Sequence, residues 1–261
     1  MEERASHGKL AGVKIVSWNI LSGAQLREGA NLFDAIKELN ADVLALQEVD
    51  HLQERSNGMQ TTIEIAEKCG YQDWAFGPTL HGTPGSAWSP AVDISTSHQI
   101  NELPTSYGIA LLSKIPVLEW KYKRLKRSPI GLPLLVTTPK GARVAYVQDE
   151  PRVGVAAVLA NGITVVAAHL SFVPPLNTFQ LRALKNWTKE LPGKKIFVGD
   201  LNALLFGKAG LRSLHKGKSY PGWDPKVKFD FMLSNDVEGR ECEIKYPGVS
   251  DHLPIGIEID I

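Results

Sequence analysis

Residues 163–202 read ITVVAAHLSFVPPLNTFQLRALKNWTKELPGKKIFVGDLN. The run from Ile163 to Leu170 is short, apolar and rich in β-branched residues, which predicts a buried strand. Leu181, Leu184 and Leu191 follow on a helical stretch, and Lys195-Ile196-Phe197-Val198-Gly199 predicts a second strand. Both apolar runs finish in polar chemistry. The first runs into His169, and the second into Asp200, with Asn202 two residues on.

The same pattern extends toward the N-terminus. Val13 to Asn19 reads as a strand, and Asn31 precedes a helix with Leu32, Ile36 and Leu39 on one face, ended near Asn40. Asp42 to Val49 is a further strand, and a helical stretch over 59–69 is stopped by Gly70. Ser106 to Ser113 and runs at 117–125, 143–148 and 153–159 are strand-like, as are Phe229 to Ser234 and Ile255 to Ile259. Residues 79–105 and 207–228 show turn chemistry without a sustained period and read as irregular. A loop as long as the first of these is functional or mobile. About ten strands exceed what one flat sheet usually holds, so two packed sheets with helices on the outer faces are expected. The fold class is α/β, with a polar extension at 1–12 and one domain over 13–261.

Composition narrows the function. With 261 residues, 43% hydrophobic and 22% charged, the chain is neither disordered, collagenous nor a coiled coil. Its 29 Lys and Arg against 28 Asp and Glu lack the basic excess usual in a protein that lives on duplex phosphates. Cys69 and Cys242 are too few for a disulfide framework or a thiolate metal site. Met1 to Leu10 is polar, and no apolar run approaches a membrane span, so a cytoplasmic protein with no integral membrane segment is expected.

Apolar runs end repeatedly in a carboxylate, carboxamide or imidazole: Asn19, Glu48, His169, Asp200 with Asn202, Asp230, and Asp251-His252. Each has an ordinary explanation alone, as a turn, a helix cap, a lysine partner or a core histidine. Clustered acids need compensation by a divalent cation or by His–carboxylate pairs. The sequence has no HExxH, no P-loop, no dinucleotide fingerprint and no GxSxG. Hard oxygen donors favour Mg²⁺ or Mn²⁺ over zinc, and carboxylate-held Mg²⁺ most often meets phosphate oxygens.

Seven blocks carry a resemblance: WNIL (18–21), ALQEVD (45–50), SYGIALLSK (106–114), AAHLS (167–171), VGDLNA (198–203), FDFMLS (229–234) and SDHLPI (250–255). In this order they resemble the endonuclease/exonuclease/phosphatase superfamily, the deoxyribonuclease I-like phosphoesterases, over nearly the whole chain. The resemblance implies a four-layer α/β/β/α sandwich of two packed mixed sheets. It implies a Mg²⁺-dependent phosphoesterase that splits a phosphodiester or phosphomonoester by metal-assisted attack of water. Glu48 is then the principal metal ligand, with Asn19 beside it and Asp251 next to the metal or its water shell. Asp200 and Asn202 position the attacking water, and His252 is the acid/base imidazole oriented by Asp230. His169 is the second imidazole, Glu150 its carboxylate partner, and Tyr107 lies near the phosphate-contacting tyrosine. Two cationic imidazoles and a metal would offset the charge of the transition state.

The blocks leave the substrate open between a phosphorylated small molecule, a lipid headgroup and a nucleic acid. The alternatives are a deoxyribonuclease I-like nuclease and a non-catalytic binding protein on the same fold. The basic run Lys121-Tyr122-Lys123-Arg124-Leu125-Lys126-Arg127 reads either as a phosphate-backbone contact or as an edge strand kept soluble by lysines, the second being favoured. Trp88 and Trp223 either line a substrate mouth or pin loops to the core.

Overall fold

Side chains alternate along each strand between two apolar layers, and this alternation builds the architecture. The computed structural model describes residues 12–138, 141–202 and 207–260. All of the extension assigned to 1–12 except Gly12 lies outside the described residues, as does Ala203.

The N-terminal half contains β1 (Val13–Asn19), α1 (Leu32–Leu39), β2 (Val43–His51), α2 (Thr61–Cys69) and β3 (Asp73–Gly82). Short strands β4 (Trp88–Pro90) and β5 (Ser95–Thr96) precede β6 (Ser106–Ser113) and β7 (Val117–Leu125). A hairpin of β8 (Leu132–Thr138) and β9 (Gly141–Val147) leads to β10 (Arg152–Leu159) and β11 (Ile163–His169). Then come α3 (Leu176–Trp187), β12 (Lys194–Asp200), β13 (Arg212–Ser213) and β14 (Asp230–Ser234). The chain closes with β15 (Arg240–Cys242) and β16 (Ile255–Ile259).

One sheet has the order β15-β16-β1-β2-β6-β3-β4, with β5 also on β3; the other has β13-β14-β12-β11-β10-β7. The pairs β1–β2 and β11–β12 are parallel and the remaining neighbours antiparallel, so both sheets are mixed. Ile15, Ala45, Ile109 and Leu111 of the first sheet share one core with Val155, Val165, Ala167, Ile196, Val198 and Met232 of the second. The opposite face of the first sheet, through Val16, Trp18, Leu44 and Leu46, packs on Ile36 and Leu39 of α1 and Ile65 of α2. Val166 and Phe197 on the far face of the second sheet pack on Leu181 and Leu184 of α3. The order is therefore helices, sheet, sheet, helix, the expected four-layer sandwich.

Local signals placed the helices well. The Asn31 side chain accepts from the backbone N–H of Phe33 and Asp34 at 2.9 and 3.2 Å, capping α1. Asn40 and Gly70 end their helices in the left-handed conformation, at φ 42° and 77°. The segment 79–105 differs from expectation, because β3 continues through Gly82, and β4 and β5 pair on it. Those strands are two or three residues long, too short to show a period. The hairpin strand β8 was likewise hidden: LPLLV reads as an apolar run broken by Pro133, which a two-stranded ribbon tolerates. Lys121 to Leu125 of the basic run lie on β7, an edge strand, as favoured, and Lys126 and Arg127 follow it.

Candidate active site

Strand register gathers the polar ends. On β11 the inward residues Val165 and Ala167 are followed two positions on by His169; on β12 Ile196 and Val198 lead in the same way to Asp200. The register pairs His169 with Asp200 and Asp200 with Asp230 across three adjacent strands. Asn19 continues the inward series of Val13 and Ile15 on β1, and Tyr107 that of Leu111 and Ile109 on β6. These five residues thus close one end of the inter-sheet core.

Glu48 reaches the same place by a different device. Simple alternation would put it with Leu44 and Leu46, toward the helices. Between Leu46 and Val49 the pairing with β6 slips, and Glu48 takes φ 56°. This β-bulge re-aims the side chain. The Glu48 carboxylate then accepts from Asn19 Nδ2 at 2.8 Å, and the same nitrogen donates to Asp200 Oδ2 at 3.2 Å. One amide thereby bridges carboxylates from the two sheets.

Asp200 Oδ2 is the node of the site. His169 Nε2 lies 3.5 Å from it and His252 Nε2 3.9 Å. His252 Nδ1 is 2.7 Å from Asp230 Oδ2, and Asp230 is fully buried. The His252 backbone is fixed from both sides: its N–H donates to Ser250 Oγ at 3.1 Å, and its carbonyl accepts from Trp18 Nε1 at 2.9 Å. Ser250 Oγ in turn donates to the Asn19 carbonyl at 2.6 Å. Tyr220 and Phe229 flank the imidazole, with ring centroids 5.1 and 6.2 Å away.

Burial sets opposite charge states on the two histidines. Burial alone lowers the His252 pKa, but the Asp230 carboxylate, with Asp200 and Asp251 behind it, lifts it to about 10. Burial, Arg152 and His252 hold His169 well below its ordinary value. Hence one imidazole is cationic and the other neutral, where the sequence led us to expect two cations. The difference comes from their surroundings: both are buried, but only His252 has a carboxylate, Asp230, bonded to its ring, while Arg152 adds to the effect of burial on His169. Burial and the Asp230 charge raise the Asp200 carboxyl to about 7. Burial raises Asp251 to about 6.

The remaining expected residues fall around this core. Glu150 faces Arg152 Nη1 at 3.4 Å, whereas the carboxylate beside His169 is Asp200. Burial raises the Glu150 carboxyl to about 7 despite Arg152. Burial raises the Tyr107 hydroxyl well above its usual range, and Glu48 and Glu150 add to this. Asn202 sits at the rim at φ 47°, its Nδ2 donating to the Leu170 carbonyl at 3.1 Å. The unforeseen residues are Asp149 and Arg152. Asp149 accepts from Ser128 N at 2.6 Å, Ser171 Oγ at 2.8 Å and Arg152 Nη2 at 3.1 Å, all buried. The available signal was a run of charges, Asp149-Glu150-Pro151-Arg152, opening an otherwise apolar strand.

Buried oxygens without partners mark where a cation fits. Among the described residues, Asp200 Oδ1 and Asp230 Oδ1 have no hydrogen-bond partner. Asp200, Asp230 and His252 each bring a ligand atom to within 4.8 Å of the others. With His252 taken up by Asp230, the oxygen donors left for a hard divalent ion are Asp200 and Glu48, joined through Asn19 Nδ2.

The family model described as the Endonuclease/Exonuclease/phosphatase family matches residues 16–252. No curated protein matches the sequence. Among solved structures, an endonuclease/exonuclease/phosphatase family protein from Leptotrichia buccalis superposes with a TM-score of 0.61 at 17% identity, covering 95% of this chain and 100% of that one. A corresponding protein from Beutenbergia cavernae gives 0.59 at 17% identity, with 96% and 72% covered. The human Nocturnin catalytic domain with bound sulfate gives 0.57 at 18% identity, with 95% and 94% covered. With the family model spanning most of its length and the strand ends assembled as described, the chain belongs to the endonuclease/exonuclease/phosphatase family of hydrolases.

Proposed function

We propose that the protein is a Mg²⁺-dependent phosphoesterase that hydrolyses a phosphorylated small molecule by attack of water. One observation carries this reading: Asp200 Oδ2 accepts from the Asn19 amide that also holds Glu48, and lies 3.5 and 3.9 Å from the His169 and His252 imidazoles. Glu48 would hold the ion, with Asn19 and Asp251 beside it. When bound, the ion polarises phosphoryl oxygens and offsets their negative charge.

The side chains divide the remaining work. Asp200, raised to about 7, is matched to accepting a proton from water near neutral pH. His252, an imidazolium held by Asp230, donates to a phosphoryl or leaving-group oxygen. His169 stays neutral and orients by hydrogen bonding without adding charge. Tyr107, un-ionised, faces the same space.

A small phosphate ester is favoured over a nucleic-acid backbone because much of the basic run is engaged within the protein. Lys121 pairs with Glu119 at 2.6 Å, and Arg124 donates to the carbonyls of Pro78 and Asp93. Arg127 lies 5.2 Å from the Trp88 ring centroid, so this tryptophan packs on the segment that follows β7. Hydrolysis of p-nitrophenyl phosphate, bis-p-nitrophenyl phosphate, plasmid DNA and phospholipid with and without Mg²⁺ tests the proposal. Mg²⁺-dependent turnover of a small ester is expected, with on the order of a hundredfold loss in Asp200→Asn. Failure of every ester with metal present would leave a binding protein on this fold.

A further inference from the structure

Beyond Glu48, the active-site end carries a cation that the chemistry above does not use. Arg55, on the 3-10 turn Glu54–Ser56 after β2, has its guanidinium carbon 5.5 Å from the Tyr107 ring centroid. Its Nε and Nη2 donate to Asp50 Oδ2 and Oδ1 at 2.8 and 2.6 Å. Asp50 is itself buried, is in register with Tyr107, and accepts from Ser22 Oγ at 3.1 Å. A fixed carboxylate and an aromatic face therefore hold the guanidinium plane in one orientation.

A guanidinium offers five N–H donors. Two go to Asp50, and among the described residues the other three have no protein partner. The side chain is 43% exposed, although its carboxylate partner is not exposed at all. The side-on pair with Asp50 leaves the outer edge of the fork clear, and that edge matches two oxygens of a phosphate. The strands β1, β2 and β6 are neighbours; Asn19 is opposite Gln47 of β2 and Tyr107 is opposite Asp50, three residues further on, so the two stand on the same end of the sheet but offset along it. Arg55 stands against Tyr107 and feels the Glu48 charge, so a group seated on its guanidinium is a neighbour of one held at Glu48.

We propose that Arg55 is a specificity-determining residue that binds a second phosphate of the substrate, set beside the phosphate ester that is cleaved. This rests on the hydrolase reading for the position of the first phosphate. The selected substrates are bisphosphorylated small molecules, and esters with a single phosphate lack this contact.

Binding separates this proposal from the activity itself. Titration calorimetry of the full chain in Ca²⁺ with thymidine 3′,5′-bisphosphate and thymidine 5′-monophosphate should show the bisphosphate binding at least about tenfold tighter. Arg55→Met should equalise the two constants, and Arg55→Lys, which keeps charge without the fork, should restore part of the difference. Thermal melting of both variants reports whether they are folded. Equal constants in the unaltered protein, a preference that survives in Arg55→Met, or binding of neither nucleotide would overturn the proposal. Failure of every ester of the Mg²⁺ panel strikes the hydrolase reading instead, whatever the calorimetry gives.

Discussion

His252 Nδ1 and Asp230 Oδ2 lie 2.7 Å apart, with Asp230 fully buried and the imidazole almost so. The pair fixes which imidazole nitrogen faces the site: Nδ1 is held by Asp230, so Nε2 points toward Asp200. It also sets the charge. Replacing Asp230 by Asn keeps the shape and removes the carboxylate that raises His252 to about 10. The imidazole should then titrate at or below its ordinary value, read by NMR of the His252 ring, and turnover should fall on the order of a hundredfold or more. Because the folded-state pKa is raised, this pair's contribution to stability is complete below about 6.5 and is lost as pH rises through about 10. Denaturant titrations at pH 6 and pH 10 should show that loss in the unaltered protein and a much smaller one in Asp230→Asn.

Metal dependence should appear as stability before it appears as rate. An ion that binds only the folded state raises the melting temperature with its concentration. Mg²⁺ should therefore raise the melting temperature, and chelation should reverse the shift and abolish ester hydrolysis. Glu48→Gln keeps the acceptor for Asn19 Nδ2 but removes the charge. It should fold, melt near the metal-free temperature and show no shift with Mg²⁺. A full shift in this variant would remove Glu48 as the ligand.

The inward members of the site were legible because the rule that made the strands legible also aims their last side chains. His169 and Asp200 each follow a series of core residues by two, Asp230 stands two before Met232, and Asn19 keeps the inward phase of Val13 and Ile15 through the buried Ser17, so the strand period points each toward the same end. Glu48 could be noticed as a polar strand end, but its direction depends on a bulge with φ 56° that alternation does not encode. Arg152 and Asp149 carry no assignable role in the sequence, because a charge at a strand entrance normally reads as solvated, and only tertiary packing buries them. Arg55 belongs to a short turn with no period at all.

Gly199 shows how closely β11 and β12 approach. It has φ 139°, and a Cβ there would lie 1.8 Å from the Ala168 carbonyl oxygen on β11. That contact is with backbone, so no side chain can rotate away. Gly199→Ala should cost at least about 3 kcal/mol. It should also displace Asp200, the next residue, from His169. A denaturation midpoint equal to that of the unaltered protein would show that the strands separate more easily than this geometry implies.

Arg152 offers the sharpest test of how the two histidines are kept in different charge states. Its guanidinium is buried between Asp149 at 3.1 Å and Glu150 at 3.4 Å, and it lowers the pKa of both Glu150 and His169. Arg152→Met removes that charge while filling much of the volume. Breaking a buried pair in this way should destabilise by about 3–5 kcal/mol, since Asp149 and Glu150 lose their partner. Arg152→Lys should keep the charge and recover part of the stability, which allows titration where the methionine variant is too unstable. In Arg152→Met the His169 and Glu150 pKa values should both rise, read by NMR of the imidazole and carboxyl carbons. The acidic limb of the pH–rate profile should move upward with them, because more of His169 becomes protonated at a given pH. A rise in Glu150 without one in His169 would mean that burial alone keeps this imidazole neutral, and that the guanidinium serves the fold only.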